Sequence, residues 1–299
     1  MKLGYPAINL GLGCTSSHTF RLASLTADRL RDTVALNLAC LRRTIEWNTA
    51  HDLRFFRITS NLIPFASHPA MQQIGIDWRD LVRDELRSLG DFVRRHDMRI
   101  SQHPGQFVVL NSPSDTVYRN SVAELQYHAD LLDMMGLDAS HKLQIHVGGL
   151  YGDAESSGRI FAERHAQLPE AIRRRLVIEN DERVASIQDC LRIHEATGIP
   201  VLFDTLHHAV NNRGETTLAG LKLAMATWGK DDGVPMIDYS DQNPDKKTGA
   251  HAISLDVVRF RSFVRSLRGR DIDIMFEIKN KEASGLQAKI VVDNLASTG

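Results

Sequence analysis

The sequence predicts a single (β/α)8 barrel spanning residues 1–299. Three observations predict it. Short apolar runs alternate eight times with stretches of helical periodicity. Such alternation marks parallel strands joined by helical crossovers. No linker, low-complexity tract or shift in composition divides the chain, and barrels of this length commonly form one domain. A doubly wound open sheet is the runner-up. That fold places a glycine-rich turn and a helix directly after its first strand, whereas here a long irregular segment follows.

Leu3 to Ile8 is the first strand. The segment Gly11 to Ser17 lacks the Gly-Lys-Ser/Thr of a phosphate loop. Thr26 caps a helix running to Asn48, with Leu30, Val34, Leu38, Leu41 and Ile45 at helical spacing. Leu53 to Ile58 is the second strand, and the loop Thr59 to Gln73 leads to a helix over Trp78 to Arg95. Met98 to Gln102 is the third strand, with a helix from Asp115 to Met135. Lys142 to Ile145 is the fourth, followed by helix-forming sequence from Ser157 to Arg174 that Pro169 breaks. Leu176 to Ile178 is the fifth, and Ile187 to Ala196 a helix stopped by Gly198. Val201 to Phe203 is the sixth, with Pro200 at its start, where a missing N–H is tolerated. A helix over Thr217 to Trp228, a seventh strand over Pro235 to Ser240 and a helix over Leu255 to Leu267 come next. Ile272 to Phe276 is the eighth strand and Glu282 to Leu295 the last helix.

The net charge of −1 provides no global basic field. Nucleic-acid binding on this chain must come from a local patch or from bound cations. Cys14, Cys40 and Cys190 are scattered and form no CxxC. They are expected to be free thiols in a reducing cytoplasm. No secretory leader is expected, and no apolar run reaches membrane-spanning length.

The strand ends carry the chemistry. Strands three to eight end in His103, His146, Glu179, Asp204, Asp238 and Glu277. In a barrel these ends converge on the C-terminal face, where barrel active sites lie. His207 and His251 add two imidazoles from loops. One acidic strand end is an ordinary turn residue, but six at one register specify a metal centre. Mixed imidazole and carboxylate ligation without cysteine excludes a structural zinc finger. It suits manganese first, with zinc, cobalt or magnesium as alternatives. Eight ligands exceed one coordination sphere, so two or three divalent ions are expected, with Glu179 placed to bridge two. Ions about 3.5–4 Å apart are the usual apparatus for in-line attack on a phosphate ester. Sugar isomerases and epimerases also use such sites on this fold, with fewer ligands. His208 is left with no role beyond orienting a neighbour.

Several stretches together resemble the UV damage endonuclease family, barrel nucleases related to endonuclease IV. They are Leu3-Gly4-Tyr5-Pro6 with Asn9, Phe56-Arg57-Ile58, Leu62 to Pro69, His103-Pro104-Gly105-Gln106 and His146 to Gly149 with Tyr151-Gly152. Glu179 to Arg183, Asp204 to His208, Gly249 to Ala252 and Glu277 to Lys281 complete the set. The resemblance implies a metal-dependent hydrolase that nicks damaged double-stranded DNA immediately 5′ of cyclobutane pyrimidine dimers and 6-4 photoproducts. It implies cutting at abasic sites too, 3′-hydroxyl and 5′-phosphate ends, and entry into an alternative excision repair pathway. It assigns His103, His146 and Glu179 to a first ion, and Glu179, Asp204, Asp238 and Glu277 to a second. His207 and His251 go to a third. Tyr5, Asn9 and His68 match positions near the cleaved phosphate and the damaged strand, and Gln106-Phe107 the pair that probes the duplex. Lys246, Lys247, Lys279 and Lys281 are the loop cations expected to meet phosphates. Arg42, Arg43 and Arg173 to Arg175 are expected on solvated helix faces. A monomer is expected.

Three positions depart from patterns in the family. Phe107 stands where tyrosine is common, Asp238 where some members have histidine, and Met236 where some have lysine. A phenyl ring still wedges and stacks. Asp238 keeps a ligand. Met236, on the same inward side as Asp238 by period two, cannot fill a lysine's role.

Overall fold

A computed structural model of the chain describes residues 1–149, 151 and 153–297. Gly152 of the Tyr151-Gly152 stretch and the last two residues of the expected domain lie outside them. Eight parallel strands close into a barrel in the order β1 to β8, with β1 paired to β8. The strands are β1 (Leu3–Pro6), β2 (Phe55–Ile58), β3 (Arg99–Gln102), β4 (Leu143–His146), β5 (Leu176–Glu179), β6 (Val201–Asp204), β7 (Met236–Tyr239) and β8 (Asp273–Phe276). The helices are α1 (Ala27–Ala50), α2 (Trp78–Arg95), α3 (Asp115–Met134), α4 (Ala154–Ala166), α5 (Glu170–Arg173), α6 (Ile187–Thr197), α7 (Thr205–Val210), α8 (Thr217–Met225), α9 (Val257–Leu267) and α10 (Glu282–Ala296). The (β/α)8 expectation is met.

Alternation along the strands decides what the barrel encloses. Phe56, Ile58, Ile178, Phe203, Ile237, Ile274 and Phe276 point outward into the main core, against the apolar faces of the helices. Phe55, Val177, Leu202, Met236 and Met275 point inward and pack together as an apolar layer. Two residues further along each of those strands come Arg57, Glu179, Asp204, Asp238 and Glu277. Each strand therefore lays an apolar plug first and a site residue directly above it. Strand β1 reaches its neighbour through Gly4, where a Cβ would lie 1.7 Å from the Phe55 carbonyl oxygen.

The helix-forming stretch from Ser157 to Arg174 is broken at Pro169 as expected, into α4 and α5. Three expectations need correction. The helix toward Trp228 ends at Met225. Beyond it Trp228 turns in and donates through Nε1 to the Val201 carbonyl at 2.8 Å. Arg175 is buried, not solvated, and donates to Asp133 and to the Leu137 carbonyl.

The third correction is chemical. Cys14 and Cys40 form a disulfide across 26 residues, tying the loop after β1 to α1, while Cys190 is a buried thiol. Their pairing is set by the fold, since α1 lays Cys40 beside that loop. Replacing both as Cys14→Ser with Cys40→Ala should cost about 3.5 kcal/mol for a loop of this length. Urea denaturation under non-reducing conditions measures it. Among the described residues no helix is long and apolar enough to cross a membrane.

Candidate active site

The polar layer above the apolar plug is the mouth of the barrel. Strand register sets its level, pairing His146 with Glu179 and Asp204 with Asp238. His103 follows β3 directly and Glu277 follows β8. Three groups result, in each of which the ligand atoms lie within 4.8 Å of one another: His103, His146 and Glu179; Glu179, Asp204 and His207; Asp204, Asp238 and Glu277. Glu179 belongs to two of the groups. Its Oε2 lies 3.5 Å from His103 Nε2 and 3.8 Å from His146 Nε2, and its Oε1 3.1 Å from His207 Nδ1.

His207 departs from its expected loop. Asp204 accepts from the His207 backbone N–H at 2.7 Å and so caps the short helix α7. The helical turn directs His207 onto Glu179 and Asp204, and sends His208 the other way. His208 packs against Phe203 and under Gly220, where a Cβ would sit 2.7 Å from its Nε2. It has no place among the ligands. His251 comes from the loop after β7 and faces Glu277 Oε2 at 3.6 Å through Nε2. That loop is held by Asn243 N–H donating to the Ala250 carbonyl at 2.7 Å and by the Gln242–His251 bridge.

Crowding sets the charges. Burial drives the Asp204 carboxyl up to about 7, with Glu179 and Glu277 adding to it and His207 opposing. Burial and the neighbouring carboxylates likewise push Asp238 well up, against Arg57. Burial lowers His207, but Asp204 and Glu179 outweigh it and hold the imidazole protonated up to about 11. Glu179 runs the other way, since His146, His103 and His207 overcome its burial and hold it well below the carboxylate range. Glu277 falls to about 2 because Arg57 overcomes the cost of burial.

The donors fit divalent ions. Asp204 Oδ2 is buried with no hydrogen-bond partner among the described residues. A protein that leaves a carboxylate oxygen in that condition has reserved it for another partner. Carboxylate and imidazole without thiolate suit manganese and its neighbours.

Around the mouth, Gln106 and Phe107 form an exposed turn after β3, with Phe107 59% exposed. The Phe107 ring packs over Gly105, where a Cβ would lie 2.7 Å from it. Phe107 and His68 line one cavity of about 420 Å³ together with Phe65, Ser67 and Glu124. His68 Nδ1 accepts from the Ala70 N–H at 3.1 Å. Its Nε2 is therefore the protonated nitrogen of the neutral ring. Lys246, Lys247 and Lys279 are exposed on loops after β7 and β8, and Lys281 is half-buried beside them.

Tyr5 and Asn9 stand elsewhere. Tyr5 is fully buried in the main core, edge-on to Phe56. Its hydroxyl donates to Asn48 Oδ1 at 2.5 Å and accepts from Asn9 Nδ2 at 2.8 Å. Asn9 is buried and caps the turn at Leu12. The expected contact of Tyr5 with the cleaved phosphate is thus corrected: alternation in β1 turns its ring outward.

Two residues at the centre carried no assignment from the sequence. Arg57 donates to Asp238 Oδ1 at 2.6 Å and to Glu277. Gln144 donates to Glu179 Oε2 at 2.5 Å and to Asp238 Oδ2 at 2.6 Å. The available signal was period two, since Arg57 follows inward-facing Phe55 and Gln144 precedes inward-facing His146.

Comparison with known proteins bears on the family and the fold. A family model described as UV-endonuclease UvdE matches residues 1–296. A UV DNA damage endonuclease of Clostridium perfringens (strain 13 / Type A) is 32% identical over 289 residues, covering 96% of this chain and 69% of that protein. The crystal structure of SacUVDE superimposes with a TM-score of 0.93 at 47% identity, covering 99% of both chains. Endonuclease IV from Thermus thermophilus shares the fold, with a TM-score of 0.57 at 18% identity, covering 86% of this chain and 95% of that one. A whole-length family match on a barrel whose mouth gathers imidazoles and carboxylates leaves one conclusion: this chain belongs to the UV-endonuclease UvdE family.

Proposed function

We propose that the protein nicks double-stranded DNA immediately 5′ of cyclobutane pyrimidine dimers and 6-4 photoproducts, and at abasic sites, by metal-assisted phosphodiester hydrolysis. The observation that carries this reading is Glu179, shared by two ligand groups at the bottom of an open mouth. His103, His146, Glu179, Asp204, His207, Asp238, His251 and Glu277 are the residues offered to the ions, with manganese the first choice. Divalent ions there supply Lewis acidity to the scissile phosphate and activate the attacking water. His68 donates from Nε2 to the phosphate beside the cut. Tyr5 is a positioning residue that fixes Asn9 and, through it, the loop after β1. Phe107 enters the stack at the lesion while Gln106 contacts the exposed bases. One chain supplies all of these residues, so a monomer is the working unit in this reading.

A duplex with one cyclobutane dimer, labelled at its 5′ end, tests the position of the cut. The expected fragment ends immediately 5′ of the dimer and is extended by a polymerase, which requires a 3′-hydroxyl. A fragment ending 3′ of the dimer, or one that resists extension, contradicts the proposal. Nothing in the mouth favours sugar isomerisation separately.

Two further outcomes follow from the charges. Metal binding must displace the proton of His207 throughout the neutral range, and that of Asp204 below about pH 7. Metal affinity should therefore rise from pH 6 to pH 9, with more protons released on binding at the acid end than at the alkaline end. Titration calorimetry in buffers of different ionisation enthalpy reads this directly. Replacing Lys246, Lys247 and Lys279 by alanine should flatten the salt dependence of DNA affinity by about 0.9 in slope for each phosphate that a lysine no longer neutralises. An unchanged slope in anisotropy titrations would remove these lysines from the interface.

A further inference from the structure

Arg57 rises from β2 into the middle of the carboxylate cluster and is buried there. Its Nη2 donates to Asp238 Oδ1 at 2.6 Å and to Gln144 Oε1 at 2.5 Å, while Nη1 donates to Glu277 Oε1. Each oxygen of Asp238 then accepts a protein donor, because its Oδ2 accepts from Gln144 Nε2 at 2.6 Å. Asp204 is level with it on the neighbouring strand and is in the opposite condition. Its Oδ1 caps α7, and its buried Oδ2 accepts nothing among the described residues. One carboxylate of the Asp204–Asp238–Glu277 group is therefore paired with a guanidinium, and another keeps an open oxygen. An ion entering beside Asp238 would have to expel a buried guanidinium or face it at short range in a low dielectric.

Building on the metal-dependent reading above, we infer that Arg57 is a resident cation that takes the place of a third ion in this chain. Asp238 serves Arg57, and the mouth takes two divalent ions, at His103–His146–Glu179 and at Glu179–Asp204–His207. The charge balance agrees. Two divalent ions offset the four carboxylates Glu179, Asp204, Asp238 and Glu277, and Arg57 contributes the positive charge that a bound phosphodiester neutralises. Beneath Asp238 the inner row holds Met236, an uncharged thioether. The cation at this corner comes instead from across the barrel. Arg57 is a positioning residue, since it acts on the reaction by holding Glu277 and Asp238.

Equilibrium dialysis of the full chain against Mn2+, with free Mn2+ read by electron paramagnetic resonance, decides it. Two ions per chain are expected for the parent and for Asp238→Asn, and one for Asp204→Asn. Any other count in the parent, or loss of an ion in Asp238→Asn, overturns the inference. A parent that binds no Mn2+ sinks the metal-dependent reading itself. Arg57→Met, with its fold checked by thermal denaturation, should gain a third ion, and a folded variant that stays at two also overturns it. If Arg57→Met does not fold, the parent and Asp238→Asn decide alone.

Discussion

Glu179→Gln should lower nicking of irradiated DNA by more than about 100-fold, beyond what the loss of an outer partner of a metal ligand costs. Both oxygens of Glu179 face imidazoles, and two of the ligand groups share it. An amide keeps the shape and loses the charge and one acceptor, so both groups fail together. Damaged-DNA affinity should stay within about tenfold of the parent, because phosphate contacts by loop cations are independent of this carboxylate. Initial rates on irradiated plasmid, set beside anisotropy titrations, separate the two effects. Cleavage by Glu179→Gln at the parental rate would show that Glu179 does not bridge.

The double substitution Gln106→Ala with Phe107→Ala acts on recognition instead. Base stacking on an aromatic ring contributes about 1–3 kcal/mol. Discrimination between damaged and intact duplex should therefore fall by roughly 5- to 150-fold, with Mn2+ content unchanged. The turn that carries both residues is exposed, and Phe107 packs over Gly105 rather than into the core. The fold should tolerate the change. Competition binding with irradiated and intact duplexes measures the ratio, and an unaltered ratio would remove the pair from lesion recognition.

Much of this was legible along the chain. The eight alternations are plain because short strands, most of them largely apolar, recur between stretches of helical periodicity. Glu179, Asp204 and Asp238 fall at one level because each ends the inward row of its strand, and period two is a property of sequence. What the sequence did not carry is partnership and phase. Arg57 looks like a stray charge in an apolar strand until Gln144, Asp238 and Glu277, 87 to 220 residues away, are brought around it. Tyr5 lies in a strand whose inward residue is Gly4, and only packing against Phe56 and Asn48 shows that the phenol faces the helices. His207 and His208 differ by one residue, and a loop would leave both free. The turn of α7 capped by Asp204 gives one to the mouth and the other to Gly220. The Cys14–Cys40 bridge has no spacing motif, since proximity arises from how α1 crosses the loop after β1.

Nicking of supercoiled plasmid by the purified chain is the most direct test of the central claim. The protein is stripped of metal with a chelator and assayed on irradiated and unirradiated plasmid, with and without added Mn2+. Conversion to open circles should appear on irradiated plasmid only, vanish on chelation and return with Mn2+. Nicking that is absent under all these conditions, or indifferent to irradiation or to Mn2+, would contradict a metal-dependent endonuclease of ultraviolet damage at this mouth.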